Sequence, residues 1–131
     1  MAVLNYENRR DGCYLGESAA LNIINEEIVV ASGAGVLYPG TVLAKITASS
    51  KYVVHDTALA NGAEIPANAV ILFSRVDATA ADRKAVATVN GPATINGNDL
   101  TYKAGMTDAA KKAVNAALRL KGMKVLPQHA G

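Results

Sequence analysis

Two histidines, one cysteine and a scatter of carboxylates are the groups through which this 131-residue chain could do acid–base, thiol or metal chemistry. His55 stands beside Asp56, and a carboxylate next to an imidazole is the start of a general-base arrangement. A third group at a fitting spacing would be needed to complete it, and the sequence suggests none. The pair reads better as two polar residues at a hairpin edge. His129 lies in the polar C-terminal tail and reads as solvated. Cys13 is the single cysteine, so no internal disulfide can form. One thiol and two distant imidazoles make a poor metal set, and a lone cysteine is ordinarily a small buried apolar residue. Glu26 and Glu27 are adjacent and point to opposite faces of a strand, while Asp77 and Asp82 share a loop. Gly33-Ala34-Gly35 opens like a dinucleotide-binding turn, but Tyr38 stands where the third glycine belongs and no helix follows. No cofactor is therefore expected.

Lys51 in ITASSKYV sits on a tight turn, the placement used by biotinyl and lipoyl carrier domains. The methionine or aspartate neighbours of such lysines are missing, so an ordinary turn lysine is the better reading. Charge is segregated along the chain. Residues 1–102 carry seven basic and ten acidic side chains, a net of −3, and residues 103–131 carry six and one, a net of +5. Basic charge alone does not make a nucleic-acid site. The stacking aromatics that accompany one are absent there apart from the flanking Tyr102, and no direct nucleic-acid partner is expected. The N-terminal MAVLNYENRRDG lacks the apolar core of a signal peptide, and no run approaches a membrane span, so an intracellular site of assembly without a membrane partner is expected.

The elements that would position any site are mostly strands. EIVVA (27–31) is β-branched, and Ser32 to Gly35 form a turn. Pro39-Gly40 is a type II turn signal. TVLAKI (41–46) alternates, with Val42, Ala44 and Ile46 on one face and Leu43 and Lys45 on the other. AVILFS (69–74) reads as a buried central strand, DATAAD (77–82) as a loop, and AVATVN (85–90) as a strand ended by Asn90-Gly91-Pro92. Pro92 and Gly97 punctuate a hairpin-like region closed by LTYK, and MKVL (123–126) reads as a final strand. Residues 107–121 form a helix, with Thr107 as N-cap, Asp108 in the first turn and Gly122 at C′. Its apolar face is Ala110, Ala113, Val114, Ala117 and Leu118, with Met123 placed to pack on Leu118. The expected fold is one mainly β domain, residues 13–131, with a C-terminal helix near 107–121, preceded by an N-terminal arm, residues 1–12. The core is built from small side chains, each buried CH2 contributing about 0.8 kcal/mol, so assembly with copies of itself would add stability.

Three stretches in order, GESAALNIINEEIVVASGAG (16–35), LYPGTVLAKITASSKYV (37–53) and AVILFSRVDATAADRKAVATVNGPATINGNDL (69–100), followed by the helix TDAAKKAVNAALRLKGMKV (107–125), resemble the head decoration proteins of lambda-type tailed bacteriophages. The resemblance runs from about residue 12 to residue 126. It departs at LNIINEE, which lacks the arginine of a Ser-Arg-Asp-like turn, and in the arm. It implies a compact β-clip type core, a homotrimer, the major capsid protein as partner, and a place on the outer surface of the virion after assembly in the host cytoplasm. The implied role is a cement that binds threefold positions of the expanded head and holds the shell against internal DNA pressure, with no catalysis. Val3, Leu4 and Tyr6 alternate in the arm and suit strand addition to a capsid sheet edge. With Arg9 and Arg10 they are the expected capsid-binding residues. The rival readings are a trimeric β-clip type nucleotide hydrolase, whose acidic and glycine-rich substrate motifs are not apparent, and a small binding or carrier module.

Overall fold

A computed structural model describes residues 14–18, 24–91 and 93–126. Ten strands and one α-helix are found among them: β1 (Leu15–Ser18), β2 (Asn25–Val30), β3 (Gly35–Leu37), β4 (Val42–Lys45), β5 (Tyr52–Val54), β6 (Ala69–Leu72), β7 (Val76–Ala78), β8 (Arg83–Thr88), β9 (Ala93–Asn96), α1 (Asp108–Leu120) and β10 (Met123–Leu126). The chain is thus mainly β with a C-terminal helix, as its sequence implies. The arm, residues 1–12, and with it Val3, Leu4, Tyr6, Arg9 and Arg10, lies outside the described residues, as do Cys13 and His129.

Five strands close a barrel in the order β2-β5-β4-β6-β8. The longest ladder is the antiparallel β2–β8 pairing, from Asn25↔Thr88 to Val30↔Arg83. The barrel shuts through a short parallel contact at Val30↔Tyr52. Beside it stand a three-stranded sheet, β1-β9-β10, and a two-stranded ribbon of β3 and β7. In the three-stranded sheet β10 runs parallel to β9, from Met123↔Ala93 to Leu126↔Asn96. A parallel return needs a crossover, and α1 supplies it.

Two apolar cores result, and β4 and β6 form the wall between them. Leu43 pairs with Val70, and both face the barrel interior with Ile28, Val30 and Leu72. Val42 pairs with Ile71, and both face outward onto Val114 and Leu118 of α1, Ile95 of β9 and Met123 of β10. The period of two in a strand sends successive cross-strand pairs to opposite sides. The alternation read from TVLAKI is therefore real, and both of its faces are covered. β6 is buried at all four positions, as its continuous apolar run requires. Alanines at 85 and 87 place small side chains of β8 in the barrel core.

Local signals fit the observed ends. The Thr107 side chain accepts from the Ala110 N–H at 3.2 Å, and Asp108 stands in the first turn. Gly122 adopts φ +91° just past the helix, and Gly40 adopts φ +95° after Pro39, with Thr41 N–H donating to the Tyr38 carbonyl at 3.1 Å. The backbone at Gly91 crosses that at Gly122 so closely that a Cβ on Gly91 would lie 2.0 Å from the Gly122 carbonyl oxygen.

Three expectations need correction. Residues 93–102 do not form a hairpin: β9 pairs with β1 and β10, and Thr101 makes an isolated parallel bridge to Thr41. The DATAAD loop begins inside a strand, since Val76–Ala78 pairs with Gly35–Leu37. On α1 the buried residues are Val114, Asn115 and Leu118, whereas Ala113 is exposed. Asn115 is drawn in by a hydrogen bond, its Oδ1 accepting from the Tyr102 hydroxyl at 2.6 Å.

Candidate docking surface

The root of the arm is fixed in the core. Tyr14 is fully buried, and its carbonyl accepts from the Asn96 N–H at 2.6 Å. Its hydroxyl is hydrogen-bonded to Thr88 Oγ1, which donates in turn to Asn25 Oδ1 at 2.7 Å. A buried hydroxyl without partners would be costly; this relay satisfies it and ties β1 to the barrel strands β2 and β8. The residues that follow, Leu15 to Ser18, pair with β9.

Among the described residues, several of the groups that first suggested chemistry make structural contacts. His55 is 1% exposed, with Nε2 3.2 Å from the Glu64 carbonyl and Nδ1 without a hydrogen-bond partner. Burial pushes its pKa down, against the smaller pull of the Glu64 carbonyl and of the Asp56 and Glu64 carboxylates. Asp56 does not orient the imidazole. Its carboxylate accepts from the Ala58 N–H at 3.0 Å and pairs with Lys103 at 3.4 Å, and these contacts, the backbone one first, hold it below the usual carboxylate range. Lys51 Nζ pairs with Asp82 at 2.6 Å, and the other oxygen of Asp82 accepts from the Ser32 N–H at 2.7 Å. Asp82 thereby pins three turns together, and the lysine first, then the Ser32 N–H, lower its pKa. Asp77 accepts from the Thr79 hydroxyl and N–H, at 2.7 and 3.1 Å. Gly33-Ala34-Gly35 leads into β3, not a helix. Among the described residues no three His, Cys, Asp or Glu side chains gather as a metal site, and no helix is long and apolar enough to cross a membrane.

What the structure does bring together is a mainly apolar cleft of about 350 Å³ between β3, β5 and residues 101–104. Val36, Tyr38, Val54 and Tyr102 line it. Cations stand over both tyrosines, with Arg75 5.8 Å from the Tyr38 ring centre and Lys111 5.5 Å from that of Tyr102. Burial pushes the Tyr102 hydroxyl up to about 12, opposed by its hydrogen bond to Asn115, so it stays protonated and donating. This cleft was not read from the sequence. Its walls come from segments up to 68 positions apart (Val36 and Ala104), and the only local hint was two tyrosines, each beside a turn.

The family model for the bacteriophage lambda head decoration protein D matches residues 4–123. The chain belongs to the phage head decoration family. The match starts at residue 4, so it takes in most of the arm, which the sequence resemblance from residue 12 had left out. It ends inside β10, and thus spans the barrel, the ribbon, the crossover helix and the root of the arm. At the level of individual curated proteins no sequence matches the chain. A head decoration protein is a structural protein that binds a capsid. The residues described above suit that work: chemistry-bearing side chains are spent on tying turns, and the apolar surface is spent on two cores and a cleft.

Proposed function

We propose that this head decoration protein is a cement. It binds as a homotrimer to the outer surface of the expanded head, at threefold positions on the major capsid protein, and stabilises the shell against the pressure of packaged DNA. The observation that carries this reading is the family match across residues 4–123, arm included. Two features support it. The arm leaves from an edge strand whose first residue neighbour, Tyr14, is locked in the core, so a pull on the arm is borne by the whole domain. In an added strand Leu4 and Tyr6 would share one face, with Val3 on the other, and Arg9 and Arg10 follow as the charged capsid contacts.

The energetic logic is multivalency. Three arms on one trimer engage three equivalent sites, and after the first contact the others bind at high effective concentration, so modest single-arm affinities combine into durable attachment. Preference for the expanded shell follows if the three sites match the trimer only in that state, since a ligand stabilises the state it binds better. No catalysis and no nucleic acid enter this mechanism. The test is deletion of residues 2–10. The truncated protein is expected to remain trimeric by light scattering while its retention on purified expanded capsids falls by more than tenfold. Retention equal to that of the full chain would refute the role of the arm.

A further inference from the structure

The chain has three Asn-Gly steps, Asn61-Gly62, Asn90-Gly91 and Asn96-Gly97. At such a step a chain can attack itself. The backbone nitrogen after the asparagine adds to the side-chain carbonyl carbon and closes a succinimide ring. Glycine leaves that nitrogen unshielded, because no Cβ stands beside it. In an unfolded chain the three steps are therefore near equals. The reaction needs a base for the N–H, a donor for the oxygen on which charge develops, and a free exit for ammonia. The fold supplies all of these at one step and arranges the other two against it.

At Asn61 the base is a carboxylate. Glu64 Oε1 accepts from the Gly62 N–H at 2.8 Å, and this is the N–H that must lose its proton. The donor is the Ala63 N–H, 3.1 Å from Asn61 Oδ1. Ala63 is fully buried, and its carbonyl accepts from the Asp56 N–H at 3.3 Å, so the donor is fixed in place. Gly62 is held as well, its carbonyl accepting from the Ile65 N–H at 3.2 Å and from Asn68 Nδ2 at 2.9 Å. Asn61 itself is exposed, so ammonia leaves into solvent and water enters.

The other steps lack this arrangement. Gly91 N–H donates to the Lys121 carbonyl at 2.8 Å, a neutral acceptor too weak a base to take the proton, and the backbone there crosses that of Gly122 too closely to turn. At Asn96 the carboxylate is on the wrong nitrogen. Asn96 Nδ2 donates to Asp99 Oδ2 at 3.1 Å, which holds the leaving group and does nothing for the attacking one.

We propose that Asn61-Gly62 is a self-modifying site, at which Glu64 is the general base and the folded state promotes deamidation. Glu64 takes the Gly62 proton, and the nitrogen electron pair forms the bond to Asn61 Cγ. The carbonyl electrons move onto Oδ1, held by the Ala63 N–H, and return as the Cγ–Nδ2 bond breaks. Nδ2 leaves as ammonia with the proton from Glu64. Water then opens the ring at either carbonyl, giving aspartate or isoaspartate. Both products add a negative charge at position 61. Isoaspartate also adds one carbon to the main chain where the Asn61 carbonyl accepts from the Thr47 N–H at 2.9 Å. The excursion between β5 and β6 is thereby marked by age and loosened from the turn after β4. The site uses this chain's own residues and is independent of the capsid reading.

The experiment is peptide mapping by mass spectrometry as the full chain is incubated at neutral pH, folded and in denaturant. In the folded protein Asn61 is expected to deamidate about a hundredfold faster than Asn90 and Asn96, and in denaturant the three rates should converge. Glu64→Gln keeps an acceptor for the Gly62 N–H and removes the base. It should erase most of the excess at Asn61 and leave Asn90 and Asn96 as they were, with circular dichroism as the check on folding. A base already in place also makes the folded Asn61 rate climb less steeply between pH 6 and 8 than the rates in denaturant. Equal rates at the three steps in the folded protein, or an Asn61 rate no faster folded than denatured, overturn the proposal, and that comparison needs no variant. A rate at Asn61 unchanged in Glu64→Gln overturns the role of Glu64.

Discussion

His55 shows what a single buried group does to a domain of this size. Its backbone N–H donates to the Val42 carbonyl of β4 at 3.1 Å, and its buried imidazole meets the Glu64 carbonyl through Nε2. Protonation would add a charge and a second donor at Nδ1, which has no acceptor. The nearest carboxylates are engaged elsewhere, Asp56 with Ala58 and Lys103, Glu64 with Gly62. The folded pKa therefore lies below the ordinary 6.5. The unfolded chain takes up the proton first, so stability is complete above about pH 6.5 and declines as the pH falls toward the folded value. Urea midpoints between pH 7.5 and 5 should show this decline, and His55→Leu should flatten it. The lowered aspartates, 56, 77 and 82, lose their contribution only below the ordinary carboxylate value of 3.8, outside that window. A decline as steep in His55→Leu would place the titration on another group. Gly91 is a second residue-scale case. A methyl there meets the Gly122 carbonyl at 2.0 Å, backbone against backbone, and neither strand end can yield without breaking the Gly91 N–H bond to Lys121 O (2.8 Å). Gly91→Ala should cost about 1–3 kcal/mol, the range for overpacking, measured as a loss in denaturant midpoint at constant slope.

At the scale of elements, α1 is the part whose local chemistry and tertiary role agree best. Its cap, first-turn acid and terminal glycine were all readable, because each acts on backbone groups within one turn. Thr107→Ala removes the acceptor for Ala110 N–H and should cost about 1 kcal/mol; the drop in helix signal and thermal midpoint would be read by circular dichroism, and Thr107→Ser should keep most of both. The strands β2, β4, β6 and β8 were readable for a related reason: β-branched and apolar runs of four to six residues bounded by turns leave few alternatives. Pairing was less legible. The run from Pro92 to Lys103 looked like a hairpin because its turn residues are spaced like one, yet β9 finds its partners at β1 and, across the whole helix, at β10. Nothing within ten residues of Ile95 announces Val125. Ala113 was misread as part of the buried face, and the burial of Asn115 went unread because the Tyr102 hydroxyl that draws it inward comes from outside the helix. The cleft likewise depends on β3, β5 and residues 101–104 meeting, and only the fold brings them together.

At the scale of the molecule, the wall of β4 and β6 makes the two cores one cooperative unit. Leu43 and Val70 serve the barrel, Val42 and Ile71 serve the layer of α1 and the three-stranded sheet, and each pair sits one residue from the other on the same two strands. Lys121 fastens the layers again, its Nζ donating to the Ala69 carbonyl of β6 at 2.6 Å from the end of α1. Neither core can empty without dragging the shared strands, so a domain built this way should open as a whole and not shed its helix first. The prediction is made with two truncations, Leu43→Ala in the barrel and Leu118→Ala under the helix, both at fully buried positions. Each should cost about 2–5 kcal/mol, compared at one protein concentration so that any self-association weighs equally on both. The decisive readout is hydrogen exchange. In both variants the protected amides of β8 and of α1 should accelerate by the same factor, since both open only with the whole domain. If Leu118→Ala speeds exchange in α1 and β10 while β8 keeps its full protection, the helix layer opens separately, and the wall does not couple the two cores.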